Sequence, residues 1–301
     1  MVERTSTLDD GRRVRVDAAV AEGAGVRRVG DDVRAGDVVV AAGTVLRAGH
    51  LGLLASVGAV SVRVRRPVRV GVLSTGDELV EGGAPLRRGQ IRDSNRLALL
   101  ALGRSSGFEM IDLGLVPDDE AAIEAAIRAG CADTDALLTS GGVSMGDFDH
   151  VKVVLGRIAE MRWMQIAIKP AKPFAFGTID TGGRSVPVFG LPGNPVSSMV
   201  SFELFARPGL RRMAGHTSVD RPTMTVLAGE DFTRRTDGKT HFARVLVSAG
   251  EGDRYVARSA GGQGSHHLAA MAHANGLAVI EDGDGVAAGD LVDVLLVEPL
   301  A

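Results

Sequence analysis

Thr139-Ser140-Gly141-Gly142-Val143-Ser144-Met145-Gly146-Asp147-Phe148-Asp149-His150 is the stretch on which the fold turns. It follows an apolar run, Ala136 to Leu138, and precedes Val151, Val154, Leu155 and Ile158, spaced as in a helix buried along one face. A strand, a glycine turn and a helix N-terminus in that order suit a bound anion. Glycine lets backbone N–H groups approach a ligand, and both the unpaired N–H groups and the helix dipole favour phosphate. A tight turn with solvated acids is the competing reading of the same residues.

Upstream, Val68 to Leu73 reads as a buried strand followed at once by Ser74-Thr75-Gly76-Asp77-Glu78-Leu79. Ser94 is expected to cap a helix running to about Ser106, with Gly107 as its stop, and Phe108 to Leu113 is the next strand. Pro117-Asp118-Asp119-Glu120 opens another helix, which Gly130 should end. This β-α-β-α order predicts an α/β fold, a mostly parallel sheet with helices on both faces and ligands at the carboxyl ends of the strands. Gly76-Asp77-Glu78 and Gly141-Gly142 both fall at such ends.

Downstream, Phe174 to Ile179 and Val186 to Phe189 flank a turn at Asp180-Thr181-Gly182-Gly183 as a hairpin, before Gly190 to Pro195 leads into a long helix that Pro208 should bend or divide. Beyond about Gly215 come short strands, Thr223 to Leu227, His241 to Val247, Tyr255 to Arg258, Leu277 to Ile280 and Leu291 to Val297, which predict a small β-barrel or sandwich. At the other end, Val2 to Leu8 and Arg12 to Ala18 flank Asp9-Asp10-Gly11 as a hairpin, residues 33 to 48 continue in β-like alternation, and Leu51 to Val57 suggests a short helix. The expected organisation is a partial N-terminal β-rich linker region over 1–66, an α/β domain over 67–216 and a C-terminal β-barrel domain over 217–301.

The 34 basic and 37 acidic residues leave a net charge of −3, which gives no whole-protein case for a nucleic-acid partner. Lysine is scarce: the chain has Lys152, Lys169, Lys172 and Lys239, so two of the four share one short motif. The single cysteine, Cys131, excludes an internal disulfide and reads as a packing residue. No apolar stretch approaches the roughly 18 residues of a membrane span. A soluble, cytoplasmic protein without membrane or nucleic-acid partners is expected.

Ile168-Lys169-Pro170-Ala171-Lys172-Pro173 presents two ammonium groups on a proline-stiffened segment, which suits an oxyanion; a solvated loop is the plainer alternative. Gly190-Leu191-Pro192-Gly193-Asn194-Pro195-Val196-Ser197-Ser198 offers backbone N–H groups and hydroxyls at a helix start, or serves simply as helix entry. Asp77, Glu78, Asp118, Asp119, Asp147 and Asp149 follow strand ends, where they could hold Mg²⁺ on phosphate oxygens. Taken singly, Asp118 and Asp119 read as helix caps and Asp147 as a solvated acid, while Asp149 and Glu78 carry the stronger functional case. His150, His266 and His267 lack a metal-ligand pattern, and Ser265 and Arg244 read equally as a helix cap and an outward strand residue.

Together, Ser74 to Leu79, the serine-glycine-glycine segment ending at Asp149, the Lys169/Lys172 motif and the Gly190 to Ser198 loop resemble the molybdopterin molybdenumtransferase family, which includes gephyrin's C-terminal part. Residues 25 to 66 and Gln263-Gly264-Ser265-His266 also look like family segments. The resemblance implies insertion of molybdate into adenylylated molybdopterin, with release of AMP, in a Mg²⁺-assisted reaction. Carried over by position, Glu78, Asp118, Asp149, Lys169 and Lys172 are the catalytic residues, with Glu78 and Asp149 on the metal. Ser197, Arg244 and Ser265 match positions that hold the oxyanion or a nearby ligand. Thr75, Gly76, Asp77, Ser140, Gly141, Gly142, Ser144, Gly193 and Asn194 complete the expected substrate pocket.

Departures from the family pattern are Gln165 in place of a second lysine and Ala171 in place of the glycine between the paired lysines. The family's Asp-Gly-Tyr-Ala and Met-Thr-Gly motifs are not in the sequence, whose one tyrosine is Tyr255, so the chain is expected to lack the family's N-terminal part. In the family that part completes the active site across a dimer. A homodimer and a molybdopterin adenylyltransferase partner are therefore also implied. A molybdopterin adenylyltransferase is an alternative reading, against which the C-terminal β domain and the paired lysines speak. A non-catalytic molybdopterin-binding scaffold is another.

Overall fold

The computed structural model describes residues 2–83, 85–143 and 149–300, so Ser144 and Asp147 lie outside the described residues. The chain forms two compact units, one up to Val62 and one from Arg63.

In the first unit, strands Thr5–Leu8 and Arg13–Val16 pair antiparallel as the expected hairpin, with Thr5 opposite Val16. Helix Ala48–Ser56 follows. The β-like alternation expected over 33–48 forms no strand. Gly36 and Gly43 have φ of 95° and 84° there, and the chain turns at each.

The second unit contains two six-stranded sheets. The first runs in the order Glu109–Val116, Arg69–Thr75, Ala136–Ser140, Ser185–Leu191, Pro173–Asp180, Glu160–Gln165. Its first four strands are mutually parallel, Pro173–Asp180 runs antiparallel to them, and Glu160–Gln165, antiparallel to Pro173–Asp180, returns to their direction. Successive strand residues face opposite sides of a sheet, and Ala136–Ser140 shows the consequence. Leu138 packs with Leu99 and Leu100 of helix Asn95–Ser105 and with Phe202 and Leu210, while Leu137 packs with Ile123 and Ile127 of helix Glu120–Asp133 and with Val151, Val154 and Leu155 of helix His150–Ile158. Both faces are covered, which is why Ala136 to Leu138 is an unbroken apolar run. Cys131 belongs to the second of these cores, as a packing residue should.

In the second sheet, Tyr255–Ser259, Thr223–Ala228, Leu291–Leu296, Gly276–Ile280 and Thr240–Ala249 close on themselves as a five-stranded barrel. A sixth strand, Ile168–Lys169, adds in parallel to Thr240–Ala249. The barrel is filled by Val226, Val245, Val247, Ala278, Ile280 and Val294.

Two expectations are corrected. Gly130 does not end its helix, which continues to Asp133; a Cβ there would meet Leu113 Cδ1 at 2.6 Å, so this glycine makes room for packing. Ser94 gives no side-chain cap, and the Asp93 carboxylate accepts from Arg96 N instead, at 3.2 Å. Pro208 lies where the long helix is interrupted, as expected. A π-helical segment, Phe202–Ala206, joins helix Pro195–Ser201 to Arg207–Met213, and the wider turn accommodates the missing N–H and the ring.

Candidate functional site

Three loops meet at the carboxyl ends of adjacent strands. After Arg69–Thr75, Gly76 adopts φ 146°, and a Cβ there would lie 2.8 Å from Glu78 Oε2, so the missing side chain lets the Glu78 carboxylate rest against the backbone. Asp77 and Asp118 bind each other's backbone reciprocally: Asp77 N donates to Asp118 Oδ2 at 3.2 Å and Asp118 N to Asp77 Oδ1 at 3.1 Å. Asp119 is left as the helix cap, accepting from Ala122 N at 2.8 Å. Asp118 therefore belongs to the strand-end cluster and not to the helix cap.

The glycine turn sits beside them. Gly141 N donates to Leu191 O at 3.0 Å, and a Cβ on Gly141 would stand 3.8 Å from Thr75 O. A Cβ on Gly193 would in turn lie 3.9 Å from Gly141 Cα, so the Thr75, Gly141 and Gly193 backbones are in van der Waals reach of one another. Gly142 has φ 77°, and a Cβ on it would come within 2.3 Å of Val151 Cβ, so helix His150–Ile158 starts directly against the turn. Asp149 caps that helix by accepting from Lys152 N at 3.2 Å.

Several residues of this region escape sequence reasoning. Asn95 Nδ2 donates both to Ser140 Oγ at 2.9 Å and to Gly193 O at 2.6 Å. Beside it, the buried Asp93–Arg96 pair, 3.0 Å apart, is extended by Ser74 Oγ, which donates to Asp93 at 3.2 Å, and by Asp112 and Glu81, which also pair with Arg96. The available signal was a helix opened by Asp-Ser-Asn directly across from two strand ends. A capping reading absorbs all three residues and hides it.

The basic half of the site rests on the barrel. Ile168 and Ala171 pack with Val196, Val200, Met271 and Leu277, which leaves Lys169 and Lys172 exposed. Val196 N donates to Ser265 O at 3.2 Å, bringing the Gln263 to Ser265 loop against the start of the helix that holds buried Ser197. Arg244 is not an outward strand residue. It is 1% exposed, and Nη2 donates to Gly262 O and Gly264 O at 3.1 and 3.2 Å. Gln263 closes the arrangement, accepting from Arg244 N at 2.9 Å and donating to Arg244 O at 3.0 Å. Burial pushes the Arg244 guanidinium down to about 10, and its Nε has no partner among the described residues. Lys169, Arg244 and His241 line one open cleft of about 640 Å³. By contrast, the cleft lined by Arg65, Arg66, Asp135 and Arg184 lies at the amino ends of the strands, away from where such sheets bind ligands.

One loop connects the two halves. Residues 191–196 meet Gly141 through Leu191, Asn95 through Gly193 and Ser265 through Val196. Among the described residues, no three of the acids and histidines are grouped so as to hold a metal ion on their own.

The comparisons with known proteins agree with this geometry. Residues 71–212 match the family described as "Probable molybdopterin binding domain", residues 226–297 the "MoeA C-terminal region (domain IV)" and residues 1–58 the "MoeA N-terminal region (domain I and II)". The N-terminal region is thus represented in part, although its two expected motifs are not in the sequence. A Haemophilus influenzae protein named molybdopterin molybdenumtransferase is 40% identical over 270 residues, covering 89% of this chain and 66% of the relative. Molybdopterin molybdenumtransferase 2 of Mycobacterium tuberculosis is 36% identical over 301 residues, covering 97% of this chain and 72% of the relative. Among solved structures, the molybdopterin biosynthesis moeA protein of Pyrococcus horikosii superposes with a TM-score of 0.75 at 29% identity, covering 99% of this chain and 71% of that one. The fold is that of an α/β protein carrying a C-terminal five-stranded barrel. The chain belongs to the molybdopterin molybdenumtransferase family, and spans about two thirds of the length of the curated relatives it matches.

Proposed function

We propose that this chain is a molybdenum-cofactor biosynthesis enzyme that inserts molybdate into adenylylated molybdopterin and releases AMP. The observation that carries the proposal is the 191–196 loop, whose backbone contacts both the phosphate-type glycine turn and the lysine- and arginine-bearing half. The Gly141 and Gly142 turn and the start of helix His150–Ile158 take the pterin's phosphate end. Lys169 and Lys172, both exposed, supply the cations that a tetrahedral oxyanion needs, Arg244 holds the Gly262 to Gly264 loop behind them, and Ser197 and Ser265 are proposed as further donors.

Mg²⁺ fits the acidic strand ends as a shared ion. Asp77, Glu78 and Asp118 offer hard oxygen donors but no closed cage, and Mg²⁺ is characteristically held by one or two carboxylates plus substrate phosphates. When bound it would neutralise charge on the phosphoanhydride. Glu78 and Asp149 are its proposed ligands, and Asp118 orients the Asp77 turn that leads into Glu78. A homodimer, an adenylyltransferase partner, a cytoplasmic location and domain limits at 66 and 216 complete the proposal. No helix of the described residues is long and apolar enough to cross a membrane.

The deciding experiment incubates the purified chain with adenylylated molybdopterin, molybdate and Mg²⁺ and follows AMP and active cofactor. Both should form. Tight binding without AMP release would leave a binding protein, and ATP-dependent formation of the adenylylated compound would indicate an adenylyltransferase.

A further inference from the structure

Asn95 stands where the pocket would otherwise come apart. Strands Ala136–Ser140 and Ser185–Leu191 are paired side by side, and among the described residues their ladder ends at the Gly141 N to Leu191 O hydrogen bond. Beyond that point one chain becomes the glycine turn and the other the Gly-Asn-Pro loop. Both flank the proposed phosphate pocket, so the gap between them sets its width. The Asn95 amide spans the gap, with one nitrogen donating to Ser140 Oγ on one side and Gly193 O on the other.

The chemistry of these partners fixes the amide's orientation. Gly193 O is a carbonyl and can only accept, so the Asn95 atom facing it is the NH₂ group. The Ser140 hydroxyl, 4% exposed, therefore accepts from Asn95, and its own proton is directed elsewhere. That leaves the Ser140 proton available to an acceptor other than Asn95. The amide is itself held firmly: Asn95 is the first residue of helix Asn95–Ser105, and its neighbours Asp93 and Arg96 form the buried pair that Ser74 joins to the adjacent strand.

We propose that Asn95 is a positioning residue of the substrate pocket. It latches the glycine turn to the Gly-Asn-Pro loop and sets the Ser140 hydroxyl as a donor to the bound phosphate. The inference rests on the proposed molybdenumtransferase reading.

Asn95→Asp tests it with little disturbance to the fold. The side chain keeps its shape, and a carboxylate in the first turn of a helix favours the helix dipole. The substitution nevertheless removes both donated bonds, gives the Ser140 proton a local acceptor and brings negative charge to an anion pocket. With wild-type chain, adenylylated molybdopterin, molybdate and Mg²⁺ as reference, Asn95→Asp should raise KM for adenylylated molybdopterin about tenfold or more, change kcat less than threefold and leave Tm within a few degrees. A KM within twofold of wild type, or a fall in kcat at constant KM, overturns the latch. Ser140→Ala and the Asn95→Asp/Ser140→Ala double variant supply an independent arm by direct binding. Strong non-additivity in Kd is expected, and additive effects refute the coupling even if Asn95→Asp alone lowers Tm. If wild type itself neither binds nor turns over, the functional reading has failed; a working wild type beside an unaffected Asn95→Asp condemns only the latch.

Discussion

Arg244 and Lys169 border the same cleft, yet they do different physical work. Arg244 is almost fully buried and spends its Nη2 donors on the carbonyls of the Gly262 to Gly264 loop, so it holds a wall. Lys169 is exposed and lines the opening, where the proposed oxyanion would arrive from solvent. Lys169→Ala should raise KM for molybdate tenfold or more, since a hydrogen bond to a charged group is worth about 1.5–3 kcal/mol. Steady-state kinetics in molybdate checks this, and an unchanged KM would remove Lys169 from the oxyanion site. His241, in register with Lys169, gives a pH prediction. Burial pushes its imidazole below the ordinary 6.5 despite the opposing hydrogen bond to Asp237, so the unfolded chain takes up the proton more readily than the folded one. Stability is therefore lost as pH falls through about 6.5. Tm should drop between pH 7.5 and pH 5, and His241→Gln should shrink the drop. Some should remain, because burial and nearby arginines lower His216 in the same direction. A slope that His241→Gln leaves untouched would exclude His241 as its source. Asp237 acts lower on the scale. Burial would raise its carboxyl, but the hydrogen bonds from His241 and Lys239 prevail and hold it at about 2.

At the scale of elements, the glycine turn and the helix after it are one object. The positive φ of Gly142 and the 2.3 Å clearance to Val151 mean that a methyl group there is resisted by both backbone and neighbour. Gly142→Ala should cost about 2–4 kcal/mol, roughly 1–2 for the left-handed conformation and the remainder for overpacking. Urea unfolding measures it, and a cost below about 1 kcal/mol would show that the helix start yields. This element was legible in advance because strand, glycine and helix signals are all local in sequence. All five barrel strands were legible for the same reason. Glu160–Gln165 was not, since Glu-Met-Arg-Trp-Met-Gln has no clean period of two, and its strand state comes from pairing with Pro173–Asp180. Asn95 and the Asp93–Arg96 hub were missed for a related reason. Their partners Ser140, Gly193 and Asp112 are distant in the chain, and sequence spacing carries no record of such contacts.

From Arg63 onward, sheet and barrel are held together by more than the connecting chain. Glu203, its side chain 1% exposed, accepts two hydrogen bonds from Arg221 at 2.8 and 2.9 Å and lies 3.8 Å from Arg207. Arg207 also donates to Val219 O at 3.0 Å, so the segment leading to the barrel is pinned to the helix it leaves. Glu203→Ala would strand two largely buried cations and should cost about 3–5 kcal/mol, measured by chemical denaturation. A loss under 1 kcal/mol would mean that water compensates them. The sixth strand joins the same parts by another route. Ile168–Lys169 pairs with the barrel, while four residues on Pro173 begins a strand of the first sheet. Recombination that exchanged the barrel for a foreign one would therefore also remove the edge at Thr240 and His241 that seats Lys169. Under the proposed function the barrel is thereby part of the oxyanion site, and a transplanted module would have to reproduce that two-residue seam before it could replace the original.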